Sequence, residues 1–305
     1  MKLLQVRTRE LDEHSIKQYL DCFLASFGKP LARADFSAKF FGTSDSAGSY
    51  HVLALDGPTL AAAYSSIPFR YRVERASEVF ALSVDTMVAP PYRGNPYALK
   101  RIAAAMYKWL RADGVILSFG FPNENIYAIR RKLFGWRDIA RLTYCVVPLR
   151  MAFVSRLLSP VRLIEMGYMK AAHAFAPRGF ARACLPDIEL TEPWKPNYES
   201  SGVRAEYSIH REDNRAIVAY LRHIEPESND DLSGFLAHVS TVHQADIAIY
   251  LTNQQGPRGF FRLPKKLEPK PIICAGLPLQ DDDVRNSWLL DGKRWRLELR
   301  NFDAR

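Results

Sequence analysis

Val84-Asp85-Thr86-Met87-Val88-Ala89-Pro90-Pro91-Tyr92-Arg93-Gly94-Asn95-Pro96-Tyr97-Ala98 is the stretch from which the rest of this chain can be read. Val84 to Val88 ends an apolar strand that begins at Val79, and Pro90-Pro91 stops it. Tyr97 then opens an amphipathic helix to Ala112, with Leu99, Ile102, Ala103, Met106 and Leu110 on one side. A strand end, a tight polar loop and a helix start therefore follow in succession. The first N–H groups of a helix have no intrahelical partner, and the helix dipole favours an anion there. Arg93 adds positive charge, and Gly94 lets the backbone approach a bound group closely. The stretch reads as a phosphate-binding turn.

Working outward, Leu3–Val6 reads as a strand and Asp12–Phe27 as a helix closed by Gly28 and Pro30. His51–Leu55 and Leu60–Tyr71 form a hairpin around Asp56-Gly57-Pro58. After the 97–112 helix come a buried strand Val115–Phe119, a short helix Asn125–Leu133 ended by Phe134-Gly135-Trp136, and a strand Ile139–Val147. This is an α/β (α+β) domain over residues 1–149. Residues 150–202 form a connector and linker. Between 150 and 186 six basic residues stand against Glu165 alone, beside an apolar face containing Met151, Phe153, Leu157 and Ile164. One reading packs this segment between domains; the other lays it on an anionic lipid surface. Residues 203–305 read as a second, smaller α/β unit. Its expected strands are Ala205–Ile209, Asp246–Thr252, Lys270–Leu277 and Arg294–Leu299, and its expected helices Asn214–Leu221 and Asp231–Val239.

The formal net charge of +9 over 305 residues lies wholly in the first two-thirds, and residues 201–305 are neutral. That excludes a uniformly basic nucleic-acid binder and fits a local anion site. The 48% hydrophobic content excludes disorder. Cys22, Cys145, Cys184 and Cys274 are far apart, so reduced thiols are expected. The N-terminal Met1-Lys2-Leu3-Leu4-Gln5-Val6-Arg7 lacks the apolar core of a signal peptide, and no apolar run has the ~18 residues of a membrane span. A cytoplasmic location is expected, with the inner membrane face as its variant through residues 150–186. There is no Gly-x-Ser-x-Gly elbow, His-Glu-x-x-His site or Walker-type phosphate loop. His238 and His243 are poorly spaced for one helix face, and no metal is expected.

Val88-x-Pro90-x-x-Arg93-Gly94-x-x-x-Ala98 resembles the acetyl-CoA-binding motif of the GNAT N-acetyltransferases, and its strand–helix context agrees. Gly120-Phe121-Pro122-Asn123-Glu124-Asn125 after the next strand, and Leu133-Phe134-Gly135-Trp136 after the next helix, resemble further elements of that family. The resemblance covers residues 1–149. Pro96 departs from it, standing where a second glycine is usual and removing one N–H donor, though proline suits an early helix position. Arg131 departs too, standing where many members carry a tyrosine, and the segment from Asn125 to Gly135 is one residue short of the common spacing. The resemblance implies a GNAT acyl-CoA N-acyltransferase fold, a mixed central sheet flanked by helices, with the 203–305 unit a degenerate GNAT-like companion.

It also implies direct acetyl transfer from acetyl-CoA to a small-molecule primary amine. Met87 and Val88 would pair with the pantetheine arm, while Arg93, Gly94, Asn95, Tyr97 and Ala98 surround the pyrophosphate and Asn125 lies near the pantetheine. Asp85 is the first expected base and Glu78 the second; Tyr127 is a substitute acid. Each also has a plain structural reading: Asp85 as a backbone partner and Tyr127 as helix packing. Arg130, Arg131 and Lys132 read as an exposed helix face or as an anion contact. Glu298 and Asp303 read as solvated carboxylates or as sugar contacts. Two-part proteins of this kind resemble acetyltransferases of bacterial surface-polysaccharide biosynthesis, which implies an amino-sugar acceptor. Two alternatives stand beside this: an aminoacyltransferase of the same fold that uses charged tRNA, and a non-catalytic acyl-CoA-sensing or scaffold module.

Overall fold

The computed structural model describes residues 1–42, 45–94, 96–150, 186–200, 202–212, 216–226, 232–257 and 259–301. The basic connector expected at 150–186, like Asp303 and Asn95, lies almost wholly or entirely outside them.

Strand β1 (Lys2–Arg7) is followed by helices α1 (Glu13–Phe27) and α2 (Arg33–Phe41). The Asp12 carboxylate accepts the Ser15 N–H at 2.7 Å and so caps α1, and Gly28, at φ +70°, ends it. Strands β2 (Tyr50–Asp56), β3 (Thr59–Val73) and β4 (Ala76–Val88) make an antiparallel meander on β1. Helix α3 (Pro96–Ala112) crosses back to β5 (Leu117–Gly120), which pairs parallel to β4. Helix α4 (Glu124–Phe134) leads to the long β6 (Arg137–Pro148). Leucines, isoleucines and aromatics on the two faces of this sheet form separate cores. One packs against α1 and α2 and contains Phe23, Phe36 and Phe40; the other packs against α3 and contains Ile102, Met106 and Trp136.

The second half contributes β7 (Ile188–Leu190), β8 (Tyr198–Ser200), β9 (Val203–Arg211), β10 (Ile217–Pro226), α5 (Ser233–Val242), β11 (Ile247–Thr252), β12 (Phe261–Arg262), β13 (Ile272–Pro278) and α6 (Asp283–Leu289). The segment β10–α5–β11 repeats the parallel strand–helix–strand arrangement of β4–α3–β5. The two halves then exchange strands. β6 follows β5 in sequence, yet its C-terminal half pairs with β11; β13 follows β11, yet it lies between β5 and the N-terminal half of β6. Strand order is β1-β2-β3-β4-β5-β13-β6-β11-β10-β9-β8.

Three local expectations change. Of the helix expected at Asn214–Leu221, the first two residues lie outside the described ones, and Ile217 to Leu221 instead open strand β10, where β-branched Val218 sits between β9 and β11. The strand expected at Arg294–Leu299 is mostly irregular, flanked by 3-10 turns, and puts fully buried Trp295 against Tyr71, Phe80 and Phe119. Glu298 is buried rather than solvated, with His223 and Arg296 at 2.5 Å. Those partners hold its carboxyl down to about 2 against the opposing effect of burial.

Candidate active site

Pairing of β4 with β5 runs from Phe80–Leu117 to Leu82–Phe119 and stops there. On its other side β4 carries a bulge: Asp85 and Thr86 stand opposite Tyr64 alone, and Asp85 adopts φ +43°. The strands part beyond these points. Between them opens a cavity of about 640 Å³, whose walls include Leu82 to Val88, Arg93, Leu99, Phe121, Asn125, Ile129 and Arg130. Among the described residues the edge of β4 facing it has no strand partner past Leu82, so its backbone donors and acceptors are available to an extended ligand. Arg93 closes one side by donating from Nε to the Val88 carbonyl (3.1 Å) and from Nη2 to the Ser26 carbonyl (2.9 Å). Gly94 has φ +98° and nothing within 4 Å of where a Cβ would stand, so the loop before α3 is open.

Of the expected residues, Asp85, Met87, Val88, Arg93 and Asn125 line this cavity. Gly94 and Tyr97 stand at the turn and the first helical turn beside it; Tyr97 is 73% exposed. Ala98 is buried in the core beside Leu99, which the helical phase of α3 requires. Glu78 is a correction. It lies near the start of β4, away from the bulge, and pairs with Arg285 of α6. Tyr127 is a second correction. Its hydroxyl donates to Asp138 (2.8 Å to Oδ2) and accepts from Arg131 (3.2 Å), and its side chain is not in the cavity wall. Partial burial and the Asp138 carboxylate push that phenol up.

Asp85 sits in a network that the local sequence does not announce. Lys39 of α2 donates to Oδ1 at 2.9 Å and Tyr19 of α1 donates to Oδ2 at 3.2 Å. The Tyr19 hydroxyl meets Ser65 Oγ at 2.9 Å, Ser65 meets His51 Nδ1 at 2.9 Å, and His51 Nε2 meets Thr8 Oγ1 at 2.9 Å. Burial and the Asp85 charge push the Tyr19 phenol well up, so it stays a hydroxyl donor.

On the α1–α2 face lies a second cavity of about 460 Å³. Lys39, Ile67, Phe69 and Leu82 from the first half face Trp194, Glu206, Arg222 and Arg300 from the second. Leu82 lines both cavities, and the Lys39–Asp85 ion pair joins a residue of one wall to a residue of the other. This side of the site was not legible in sequence, because each half supplies only part of it. Arg130, expected with Arg131 and Lys132 as an exposed helix face or an anion contact, is 3% exposed, whereas Arg131 and Lys132 do face outward. Its spacing of four from both Ile126 and Phe134 puts it on the inward face of α4 and was the available signal.

Residues 7–138 match the family model described as an acetyltransferase (GNAT) domain. They form a GNAT acetyltransferase domain. An acyltransferase activity goes with that domain, and GNAT enzymes carry acyl groups from acyl-CoA to amines. Its fold extends the GNAT pattern to two halves. A probable N-acyltransferase from Enterococcus faecalis V583 is 13% identical, with a TM-score of 0.51 over 92% of this chain and 73% of that one. A GCN5-related N-acetyltransferase from Anabaena variabilis is 10% identical, with a TM-score of 0.54 over 92% and 73%. Eis1 from Mycobacterium abscessus is 12% identical, with a TM-score of 0.51 over 98% and 83%. At these identities the likeness is one of fold. No curated protein matches the sequence. Among the described residues no helix is long and apolar enough to cross a membrane, and no cluster of three or more metal-binding side chains occurs.

Proposed function

We propose that the chain transfers an acetyl group from acetyl-CoA directly to a primary amine. The larger cavity takes the acyl donor and the smaller one the amine. The observation that carries this reading is the adjacency of the two cavities across Leu82 and the Lys39–Asp85 pair, at the point where β4 leaves β5.

The residues present suit acetyl-CoA. The unpaired edge of β4 offers main-chain groups to a pantetheine arm, and Gly94 with the start of α3 offers an open anion-binding turn to its pyrophosphate. When bound, acetyl-CoA supplies an activated thioester. Within the chain, a backbone N–H of β4 near Val88 polarises the acyl carbonyl. Asp85 accepts the proton that the amine must lose, directly or through one water. Lys39 and Tyr19 hold that carboxylate at the junction of the cavities. Trp194 offers a flat face, and Glu206 and Arg222, paired at 2.9 Å, offer polar edges for an acceptor rich in hydroxyls. An amino sugar of surface-polysaccharide biosynthesis is the acceptor we favour, at a cytoplasmic location. Its support is the resemblance of the Gly120–Asn125 turn together with these walls.

Calorimetry with acetyl-CoA tests the donor half. Wild-type protein should bind, and Gly94→Asp should abolish binding, because it adds charge against the pyrophosphate and a side chain at φ +98°. Thiol release across amino sugars, polyamines and peptide amines then tests the acceptor half. Failure of the wild type to bind acetyl-CoA would refute the proposal.

A further inference from the structure

Arg130 is the most deeply buried arginine of the described residues, and it forms part of the wall of the larger cavity. Its Nη2 donates to Ser83 Oγ at 2.7 Å and Thr86 Oγ1 at 3.2 Å, both on β4, and its guanidinium carbon lies 4.3 Å from the Trp136 ring centroid. Its Nε and Nη1 have no hydrogen-bond acceptor within reach. No carboxylate among the described residues forms an ion pair with it. Among the described residues the one acid lining the same cavity, Asp85, is engaged by Lys39. The other cation lining it among the described residues, Arg93, is on the loop before α3.

A guanidinium cannot shed its proton, and a buried charge without a counter-charge is costly. Two hydroxyls and one indole face offset only part of that cost. The fold nevertheless keeps the side chain in place. Gly120, at the end of β5, is bare where a Cβ would stand 2.9 Å from Arg130 Nη1 and 3.0 Å from the Ser83 carbonyl oxygen. The positive charge is thus fixed, buried and set in the wall of the cavity that opens where β4 and β5 part.

We infer that Arg130 stabilises the negative charge that appears on the sulfur of CoA during transfer. This rests on the acyl-CoA reading of the cavity. In the reaction the amine nitrogen forms the C–N bond, the C–S bond breaks with its electron pair going to sulfur, and the amine proton passes to Asp85 or to water. The products are an amide and a CoA thiolate, and Arg130 keeps its own proton throughout. A preorganised cation does this without moving, which is the efficient form of electrostatic catalysis. It also accounts for a site in which Tyr127 is turned towards Asp138 and donates nothing into the cavity.

The test is the ionisation of CoA itself when bound to the full-length protein. It is read as thiolate absorbance against the complex with desulfo-CoA, over the range in which a thiol ionises. The bound thiol should be about tenfold or more as acidic as that of free CoA, as expected for an anion beside a fixed cation. Arg130→Met should abolish the difference, and Arg130→Lys should restore most of it. In turnover, Arg130→Met should lower kcat about 10²–10³-fold with little change in the KM for acetyl-CoA. A wild-type thiol no more acidic than free CoA would overturn the inference, and that result needs no variant to fold. An unmoved ionisation in a folded, CoA-binding Arg130→Met would overturn it as well. A preference for succinyl-CoA over acetyl-CoA that disappears in Arg130→Met would assign the cation to an acyl-chain carboxylate instead, and so also overturn it. Absence of any CoA binding by the wild type would refute the acyl-CoA reading of the cavity, and this inference with it.

Discussion

Replacing His51 by glutamine should flatten the acid side of the stability profile. The His51 ring is fully buried among Tyr19, Phe36 and Phe40, with both nitrogens engaged by the hydroxyls of Thr8 and Ser65. Burial, and after it the positive Arg7, press its imidazolium down from 6.5 to about 3. In the unfolded chain the ring is protonated below its ordinary value. Between that value and about 3, therefore, only the unfolded state binds the proton, and stability falls with pH by about 1.4 kcal/mol per unit. From about pH 7 to about pH 5 this amounts to a loss of about 2 kcal/mol. Glu298 acts in the same direction, but only below its ordinary 4.5, since its folded carboxyl is held down to about 2. The interval above 4.5 therefore isolates the histidine. Urea unfolding of wild type and His51→Gln at about pH 7, 6 and 5 should show the wild type losing about 2 kcal/mol more than the variant across the series. At neutral pH the variant itself should be less stable by about 1–3 kcal/mol from imperfect hydrogen bonding. Equal pH slopes for the two proteins would refute the buried-neutral assignment.

Three further outcomes are expected. Asp85→Asn should bind acetyl-CoA with wild-type affinity by calorimetry but release thiol to an accepted amine about 10²–10⁴-fold more slowly; unchanged turnover would clear Asp85 of the base role. Gly120→Ala should cost about 1–3 kcal/mol in urea unfolding, because the new Cβ would stand 2.9 Å from Arg130 Nη1 and 3.0 Å from backbone. Trp295→Ala should cost about 3–5 kcal/mol in urea unfolding, although residue 295 lies far in sequence from the sheet whose core it fills; a loss confined to the second half would show the two cores to be independent.

What could be read in advance follows from the range of the interactions. The strand, turn and helix from Val79 to Ala112 were legible because their signals are local: an apolar run, then proline and glycine, then a helical repeat. The hairpin at Asp56-Gly57 and the helix stop at Gly135 were legible for the same reason. The exchange of β6 and β13 was not, since strand partners separated by more than a hundred residues leave no mark in either segment. Residues Ala216 to Leu221 are apolar throughout, and such a run fits a helix or a strand until its neighbours are known. Of the residues that line the larger cavity, those in or next to the motif could be named from the sequence. Lys39, Tyr19, Trp194 and Arg222 could not, because they reach the site from other elements and from the other half. Arg130 was hidden by its neighbours: three consecutive basic residues look solvated, and only the phase of α4 separates one from the other two.

The exchanged strand has a consequence for how the protein is made. Translation delivers the N-terminal half first, and domains tend to fold as they emerge. Here β5 and the start of β6 have to wait for β13, which reaches them only after about residue 278 has been synthesised. Until then the larger cavity rests on a sheet with two open edges, the kind of surface that invites wrong partners. Commitment to the native state therefore comes late, and the acetyltransferase domain cannot be cut out of the gene at residue 149 and be expected to fold as it does in the whole chain.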